Sequence, residues 1–265
     1  MLLYEESFDN PSLDSNAWLT CPNGWQRHHG HELQYYLDEN IIIRNGVLHL
    51  TVKQQPGDYK IYDVDANGNP TTNTRHFDYT SGWIQTRDKY QYGKFEVRCK
   101  VPKGRGLWPA FWFFGTHNEI DVFEFRGDQP RRPQLNTHYW CSQKTRIDSS
   151  SIPRRRIDYS KDFHTYSLEW DKCKMVFRID DEIVRIDYKY KNAQGVYIDS
   201  IEQLTPGQYW QNPLFPEEEV TLILNLALSQ EGGGIRRAHA PNANTILPAS
   251  LDIDYVKIYQ KVRMK

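Results

Sequence analysis

Short apolar segments closed by turn-forming residues run along most of the chain. Val, Ile, Tyr, Phe and Trp gather in stretches that end at Gly, Asn, Asp or Pro, and few apolar positions follow the 3.6-residue period of an amphipathic helix. The pattern predicts an all-β protein. The predicted strands are Ile41–Arg44, Val47–Lys53, Trp83–Arg87, Gly93–Val101, Trp108–Gly115, Glu119–Phe125, Asn136–Cys141, His164–Trp170, Met175–Ile179, Glu182–Ile186, Glu218–Leu228 and Leu251–Lys261.

Three long polar segments interrupt this pattern, and we expect them to be loops: Gln54–Arg75, Ser142–Ser160 and Tyr188–Gln211. Long loops on a rigid β scaffold commonly carry binding or catalytic residues. A tight turn at Asp180-Asp181 is expected to join two strands as a hairpin. Because no repeat or linker divides the 265 residues, the sequence favours a single domain over residues 1–265, built as a sandwich of two sheets.

Charge and composition narrow the class of partner. The 33 Lys and Arg residues balance 34 Asp and Glu residues, so no charge excess directs the chain to nucleic acid or to anionic lipid. No apolar run approaches the length of a membrane span. Aromatic residues make up 14% of the chain, and their flat rings suit both pleated sheets and partners that are part apolar and part hydrated, such as sugars.

The N-terminus and the cysteines leave the cellular compartment open. The first residues lack the basic and apolar regions of a signal peptide. The spacing of the four cysteines fits no zinc or redox motif and allows three disulfide pairings if they are oxidised; they are Cys21, Cys99, Cys141 and Cys173.

One predicted strand carries three acids among large apolar residues. Residues two apart share a face of a strand, so Glu119 and Asp121 point to one side while Ile120 points into the core. In a regular strand Glu124 would point inward, where burying a carboxylate is costly. A β-bulge near Val122 or Phe123 would return Glu124 to the face of the other two acids, and bulges of this kind occur beside active sites.

Three acids on one sheet face need a reason, because like charges repel and push one carboxyl to keep its proton. An ordinary exposed sheet face with acids explains the pattern less well than catalysis does. Two carboxyls with separated pKa values are what glycoside hydrolysis requires. A carbohydrate-binding lectin on the same sandwich remains an alternative, although a lectin has no need of crowded acids.

Further sequence motifs are spread over most of the chain. They are Glu32-Leu-Gln-Tyr-Tyr36, Ser81-Gly-x-Ile-x-Thr86, Tyr92-Gly-Lys-Phe-Glu-Val-Arg98, Gly106-Leu-Trp-Pro-Ala-Phe-Trp112, Leu224-Asn-Leu-Ala227 and Asp254-Tyr-Val-Lys-Ile-Tyr259. Together with Glu119-x-Asp121-x-x-Glu124 they resemble glycoside hydrolase family sixteen, in particular its laminarinase-like branch. The resemblance implies a concanavalin-like β jelly roll with a cleft across its concave sheet.

The resemblance also implies roles for the three acids. Glu119 matches the nucleophile of a retaining hydrolysis, Glu124 the general acid and base, and Asp121 the acid that polarises Glu119. No cofactor is expected for catalysis. The expected partner is a polysaccharide or oligosaccharide, with no nucleic acid and no membrane span. We expect a monomer that is secreted, periplasmic or held at the cell surface.

Strand parity and the resemblance nominate residues that contact substrate. Trp108 and Trp112 share a face of their strand while Phe111 and Phe113 share the other, and the family pattern assigns the Trp pair to the cleft. The remaining candidates for substrate binding are His31, Glu32, Trp83, Arg87, His138, Trp140 and Asn225.

Two departures from the family pattern bear on the substrate. Trp83 stands where laminarinase-like members usually have Arg, and His31 stands where they have Asn. Since Trp offers a stacking face in place of hydrogen bonds, the sugar recognised can differ from the usual glucose chain. The leading expectation is an endo-acting hydrolase of β-1,3- or mixed-linkage β-glucan; the alternative is an endo-β-galactan hydrolase acting on agar-, porphyran- or mucin-type glycans.

Metal binding is expected at most in a structural role. The histidines near Glu32 lie in a predicted loop, which does not hold zinc ligands in a fixed arrangement. Some family members carry a structural calcium ion, and the matching positions are Ser7 and Gly46, through backbone oxygens, and Asp254, through its carboxylate.

Overall fold

The structure is a computed structural model that describes residues 1–30, 32–64, 69–142, 145–153, 156–235 and 237–260. Of residues 63, 64, 70, 141, 142 and 145 only the backbone is described. No helix in these ranges is long and apolar enough to cross a membrane.

Strands dominate the described chain. They are β1 (Leu2–Glu6), β2 (Trp18–Leu19), β3 (Gln34–Tyr36), β4 (Ile41–Arg44), β5 (Val47–Val64), β6 (Pro70–Ser81), β7 (Trp83–Thr86), β8 (Gly93–Lys100), β9 (Leu107–Phe114), β10 (Asn118–Glu124), β11 (Gln134–Ser142), β12 (Thr145–Ser151), β13 (His164–Trp170), β14 (Lys174–Ile179), β15 (Glu182–Tyr188), β16 (Tyr190–Asn192), β17 (Tyr209–Gln211), β18 (Thr221–Leu228) and β19 (Ala249–Tyr259). Three 3₁₀ turns cover Pro22–Gly24, Asp38–Asn40 and Ile201–Gln203.

Within the described ranges the strands form two large sheets. One has the order β15-β14-β13-β8-β19-β5-β6-β3, with β1 added beside β19 and β4 beside β5. The other has the order β12-β11-β10-β9-β18-β7-β2 and is called the seven-stranded sheet below. A short pair, β16-β17, stands apart from both. The prediction of an all-β sandwich of the jelly-roll type is confirmed.

Alternating side chains build the core between the sheets. On β8, Phe95 and Val97 are fully buried while Glu96 between them points away from the core. On β9, Phe111 and Phe113 enter the same core cluster, as predicted from parity. This leaves the opposite face of β9, with Trp108 and Trp112, free to line a site on the outer side of the seven-stranded sheet.

The hairpin at Asp180-Asp181 is confirmed, since both residues have positive φ and join β14 to β15. The prediction of loops was wrong for two segments. Most of Gln54–Arg75 belongs to the long hairpin of β5 and β6, and part of Ser142–Ser160 forms β12. Polar residues interrupt the apolar alternation in both segments, so the sequence pattern did not mark them as strands. In Tyr188–Gln211, the short strands β16 and β17 flank an irregular stretch.

Candidate active site

A β-bulge in β10 brings the three acids of this strand to one face. Asp121 pairs with Asn136 of β11, but Glu124 pairs with Gln134, so β10 holds one extra residue between them. The extra residue lets both Val122 and Phe123 enter the core, where they are 1% and 0% exposed. The bulge predicted from the sequence is therefore present, and it turns Glu124 toward Glu119 and Asp121 along the floor of a cleft.

One amide holds two of the acids together. The Nδ2 of Asn136 donates to Asp121 Oδ2 at 3.0 Å and to Glu124 Oε2 at 2.6 Å. The indole Nε1 of Trp108 donates to the other oxygen of Glu124 at 2.8 Å. Ser150 of β12 donates to Asn136 Oδ1 at 2.7 Å and so fixes the orientation of that amide. Both oxygens of Glu124 are thus positioned before any substrate binds.

His138 lies between the acids of two strands. Its Nε2 is 3.2 Å from Asp121 Oδ2 and 3.7 Å from Glu119 Oε1. Its Nδ1 is 2.6 Å from Asp148 Oδ1 on β12. Burial acts to lower the pKa of His138, but the contacts with Asp121 and Asp148 outweigh it and raise that pKa. The imidazolium so favoured partly neutralises the carboxylates around it.

The environment of the glutamates favours retention of a proton. Burial, followed by the charge of Asp121, raises the pKa of Glu124 to about 8. Burial and the charges of Asp121 and Glu124 raise the pKa of Glu119 well above its ordinary value. Because ionisation of either glutamate disfavours ionisation of the other, the site keeps a proton through neutral pH. This is the arrangement that a neighbouring acid and nucleophile require.

The cleft over these residues has a volume of about 600 Å³. Its lining includes most of the residues predicted to contact substrate: Glu32, Trp108, Trp112, His138, Trp140 and Asn225, besides Glu119, Asp121 and Glu124. One wall is the loop that contains Gly234, whose φ is +72°. A Cβ there would lie 2.2 Å from the ring of Trp108, so a side chain at this position would displace the indole that holds Glu124.

A hydrogen-bonded chain supports the opposite side of the cleft floor. Trp112 Nε1 donates to Asn225 at 2.9 Å, and Asn225 Nδ2 donates to the Tyr36 hydroxyl at 2.9 Å. Tyr36 in turn donates to Glu32 Oε2 at 2.7 Å, and Gln34 donates to the same oxygen at 2.6 Å. Since each member is held by its neighbour, the ring of Trp112 and the amide of Asn225 are preorganised.

Three of the predicted substrate contacts are not placed in the cleft. Trp83 is 1% exposed and lies beneath Tyr36 and Trp112, so its ring offers no free face for a sugar. Arg87 follows the end of β7, is exposed, and donates to the backbone oxygen of Ser15 at 2.6 Å. The expectation that Trp83 and Arg87 contact substrate was therefore wrong, because β7 ends before Arg87 and neighbouring rings cover Trp83. His31 lies outside the described residues.

Sequence reasoning missed several residues of the cleft, four of them charged or polar side chains opposite the acids of β10 or beside Glu32. Arg146, Asp148 and Ser150 line it from β12, and His29 lines it from the segment before Glu32. The three residues of β12 alternate, but the positions between them, Ile147 and Ser149, do not form an apolar face, so the segment was interpreted as a loop.

The indole of Trp108 is expected to set the alkaline limit of activity. A hydrogen bond to a carboxylate contributes about 1.5–3 kcal/mol, and one pKa unit corresponds to about 1.4 kcal/mol. Because the Trp108 hydrogen bond lowers the pKa of Glu124, Trp108→Phe should move the alkaline limb of a pH–activity profile upward by about one unit. Trp140→Phe is the control, since Trp140 lines the cleft but has no hydrogen bond to Glu124. If the alkaline limb of Trp108→Phe lies at the same pH as that of the unaltered protein, the Trp108 hydrogen bond does not control the pKa of Glu124.

Among the described residues, one group of three has the spacing to hold a metal ion. Glu119, Asp121 and His138 offer ligand atoms within 4.8 Å of one another, but each already belongs to the acid cluster described above. The three positions predicted for calcium belong to the other sheet: Asp254 is on β19, Ser7 follows β1 and Gly46 precedes β5, and β1 and β5 both pair with β19. Their oxygens suit calcium, although Asp254 is also bound by Arg98 at 2.5 Å.

Comparison with known proteins agrees with this geometry. The family model of glycosyl hydrolases family 16 matches residues 30–215. The chain belongs to glycosyl hydrolase family 16. The predicted resemblance to this family is thereby confirmed.

Relatives of this family-16 chain include the glucan endo-1,3-beta-glucosidase A1 of Niallia circulans, which is 28% identical over 98% of this chain and 38% of its own length. The chain thus spans well under half of that relative. The laminarinase catalytic domain of Thermotoga maritima superposes with a TM-score of 0.70, at 28% identity over 99% of this chain and 98% of that one. A solved endo-acting O-glycanase that initiates mucin breakdown, from the human gut microbiota, gives 0.72 at 26% identity over 98% and 90%.

Proposed function

We propose that this family-16 enzyme is an endo-acting retaining β-glycosidase that cleaves β-1,3- or mixed-linkage β-glucan. The main support is the bulged strand β10, which brings Glu119, Asp121 and Glu124 to one cleft floor, where the Asn136 amide hydrogen-bonds both Asp121 and Glu124. The names of the Niallia circulans and Thermotoga maritima relatives support the choice of glucan. The open cleft, lined by Trp108, Trp112 and Trp140, suits a chain bound along its length.

The geometry supports a double displacement. Glu124, which stays protonated to about pH 8, donates its proton to the glycosidic oxygen while the Glu119 carboxylate attacks the anomeric carbon. The aglycone leaves as an alcohol and a glycosyl ester forms on Glu119. The Glu124 carboxylate then takes a proton from water, and the water oxygen attacks the anomeric carbon from the face opposite Glu119, so that the bond to the Glu119 carboxylate breaks. The product keeps the β configuration and both glutamates return to their first states.

Three neighbours on the cleft floor assist the two glutamates. Asp121 hydrogen-bonds Glu119 and, with its charge, keeps a proton in the cluster. Asn136 holds Asp121 and Glu124 in fixed relation, and His138 balances the charge of Asp121. Such preorganised groups stabilise charge that develops in the transition state.

A panel of polysaccharides tests the substrate. New reducing ends are expected with laminarin and barley β-glucan, with fragments of intermediate length appearing first because attack is internal. The controls are agarose, porphyran and mucin glycans, together with Glu119→Gln on every substrate. Absence of reducing ends on both glucans would overturn the glucan proposal.

An endo-β-galactan hydrolase acting on agar-, porphyran- or mucin-type chains is the second candidate. The solved O-glycanase supports it, since that structure superposes with a TM-score of 0.72, beside 0.70 for the laminarinase domain. The buried position of Trp83 removes one argument for it, because that ring cannot stack on a galactose unit. Activity on a galactan or mucin without activity on glucans would select this candidate. Binding of glycans with no cleavage at all would instead indicate a lectin.

We also propose a structural calcium ion at Ser7, Gly46 and Asp254. Two backbone oxygens and one carboxylate, completed by water, suit the ion. In a calorimetric scan, millimolar calcium should raise Tm by a few degrees relative to chelator, and Asp254→Asn should abolish the difference. Asp252→Asn is the control on the same strand. Equal Tm values with calcium and chelator would exclude the site.

Because polymeric glycans do not cross membranes, we propose that the enzyme works outside the cytoplasm, whether secreted, periplasmic or at the cell surface. We also propose that it is a monomer. Light scattering on the eluting protein checks the monomer, and fractionation of the producing cells checks the location.

A further inference from the structure

A second cavity of about 280 Å³ lies beside the cleft and is not used by the proposed chemistry. Asp148 and His138 line both cavities, so the second one begins where the edge strand β12 ends the seven-stranded sheet. Thr137, Tyr139, Ile147 and Ser149 also line it, and their strand parity is opposite to that of His138 and Asp148, so the cavity lies around the edge of β12 from the cleft. A polysaccharide bound in the cleft reaches it by bending around this edge. We call it the Lys191 pocket; its other lining residues include Asp187, Tyr188, Tyr197 and Trp210.

Strand pairing sets a cation between two exposed rings in this pocket. Lys191 of β16 pairs with Trp210 of β17 on one side and bridges to Tyr197 on the other. Its Nζ lies 4.7 Å from the ring centre of Tyr197 and 5.9 Å from that of Trp210. Tyr197 is backed by Tyr188, stacked at 4.4 Å. The rings stabilise the ammonium group while leaving its N–H donors free for a ligand.

The charges in the pocket leave Lys191 uncompensated. Asp187 is held by Arg185 at 2.7 Å, and Asp148 is held by His138 at 2.6 Å. In the part of the chain that the structure describes, Lys191 forms no ion pair with a carboxylate. The pocket therefore presents the unpaired positive charge of Lys191, since its two acids are already paired with Arg185 and His138.

Trp210 supplies a surface for a sugar. It is 55% exposed and has no ring–ring contact within the described ranges. An open indole beside a cation matches a glycosyl unit that carries an acidic group, because the sugar ring stacks while the acid meets the ammonium.

We propose that the Lys191 pocket is a distal subsite that binds an anionic substituent, a sulfate ester or a carboxylate, on the glycan held in the cleft. The proposal rests on the proposed function for the presence of that glycan, and it adds a preference for acidic chains that neutral laminarin cannot reveal.

Binding to the catalytically silenced Glu119→Gln protein provides the test. Laminarin and chemically sulfated laminarin form the sulfate arm; sialylated and desialylated mucin form the carboxylate arm. In the Glu119→Gln background, Lys191→Met should raise the Kd for sulfated laminarin, for sialylated mucin or for both by about fivefold or more. The Kd for the uncharged ligand of the same arm, laminarin or desialylated mucin, should change less than about twofold. Lys191→Arg should retain the preference, and the exposed Lys161→Met serves as control.

The arm that responds identifies the acidic group. Trp210→Ala should weaken acidic and neutral ligands together, since it removes the stacking surface. Unchanged Kd values for both acidic ligands in Lys191→Met, or an equal loss on neutral ones with an unchanged Tm, would overturn the proposal. If Glu119→Gln binds none of these glycans and the unaltered protein cleaves none of them, the proposed function is overturned instead.

Discussion

Glu119→Gln is expected to lower kcat on the cleaved polysaccharide by about 10⁴-fold or more, because no nucleophile remains to form the glycosyl ester. The Kd for the same polysaccharide should change little, since the amide keeps the shape of the side chain and the cleft walls are untouched. Reducing-end release and calorimetric binding measure the two quantities on one preparation.

The control for this substitution is Glu169→Gln, which alters a glutamate of β13 that pairs with Arg178 at 3.1 Å in the other sheet. It should retain full activity. With Glu119→Gly and an activated aryl β-glycoside, azide should restore turnover and give the α-glycosyl azide, because azide then attacks from the face that Glu119 occupied. More than a few per cent of residual activity in Glu119→Gln would contradict the nucleophile assignment.

Glu124→Ala is expected to reduce hydrolysis of the polysaccharide by about 10²–10⁴-fold, the usual contribution of general acid–base catalysis. The loss in the first step should be small on a dinitrophenyl β-glycoside, whose leaving group needs no proton. Azide should then accelerate release from the glycosyl ester and give the β-glycosyl azide. If Glu124→Ala lowers the rate of the first step equally on the polysaccharide and on the dinitrophenyl glycoside, the role of Glu124 is contradicted.

The pH profile of the unaltered protein follows from the same residue. Glu124 must carry a proton in the free enzyme, and its pKa is raised to about 8, so kcat/KM should fall as pH rises through about 8. The acid limb reports protonation of the nucleophile, and its midpoint should lie above the ordinary range of a glutamate because burial raises the pKa of Glu119. In Glu124→Ala the alkaline limb should disappear.

Strand parity predicted much of the site because a strand has a fixed period of two. It separated Phe111 and Phe113 from Trp108 and Trp112, and it required a bulge before Glu124. The cost of burying a carboxylate made that bulge necessary, so the position of Glu124 could be inferred without any knowledge of the neighbouring strands.

Contacts between distant segments could not be predicted in this way. Asp148 reaches His138 from a polar edge strand that lacks an apolar alternation. Trp83 is covered by Tyr36, which comes from another part of the chain, so its parity gave the correct face but not its exposure. The strands β16 and β17, which hold Lys191 and Trp210, are three residues each, too short for any period to be visible.

The stereochemistry of the first product tests the central claim most directly, because it depends on Glu119 and Glu124 acting in sequence. Laminarin is incubated with the protein in an NMR tube, and the anomeric proton signals of the new reducing ends are followed before mutarotation equilibrates them. The double displacement predicts that the β anomer appears first and the α anomer grows later. Initial appearance of the α anomer would contradict it.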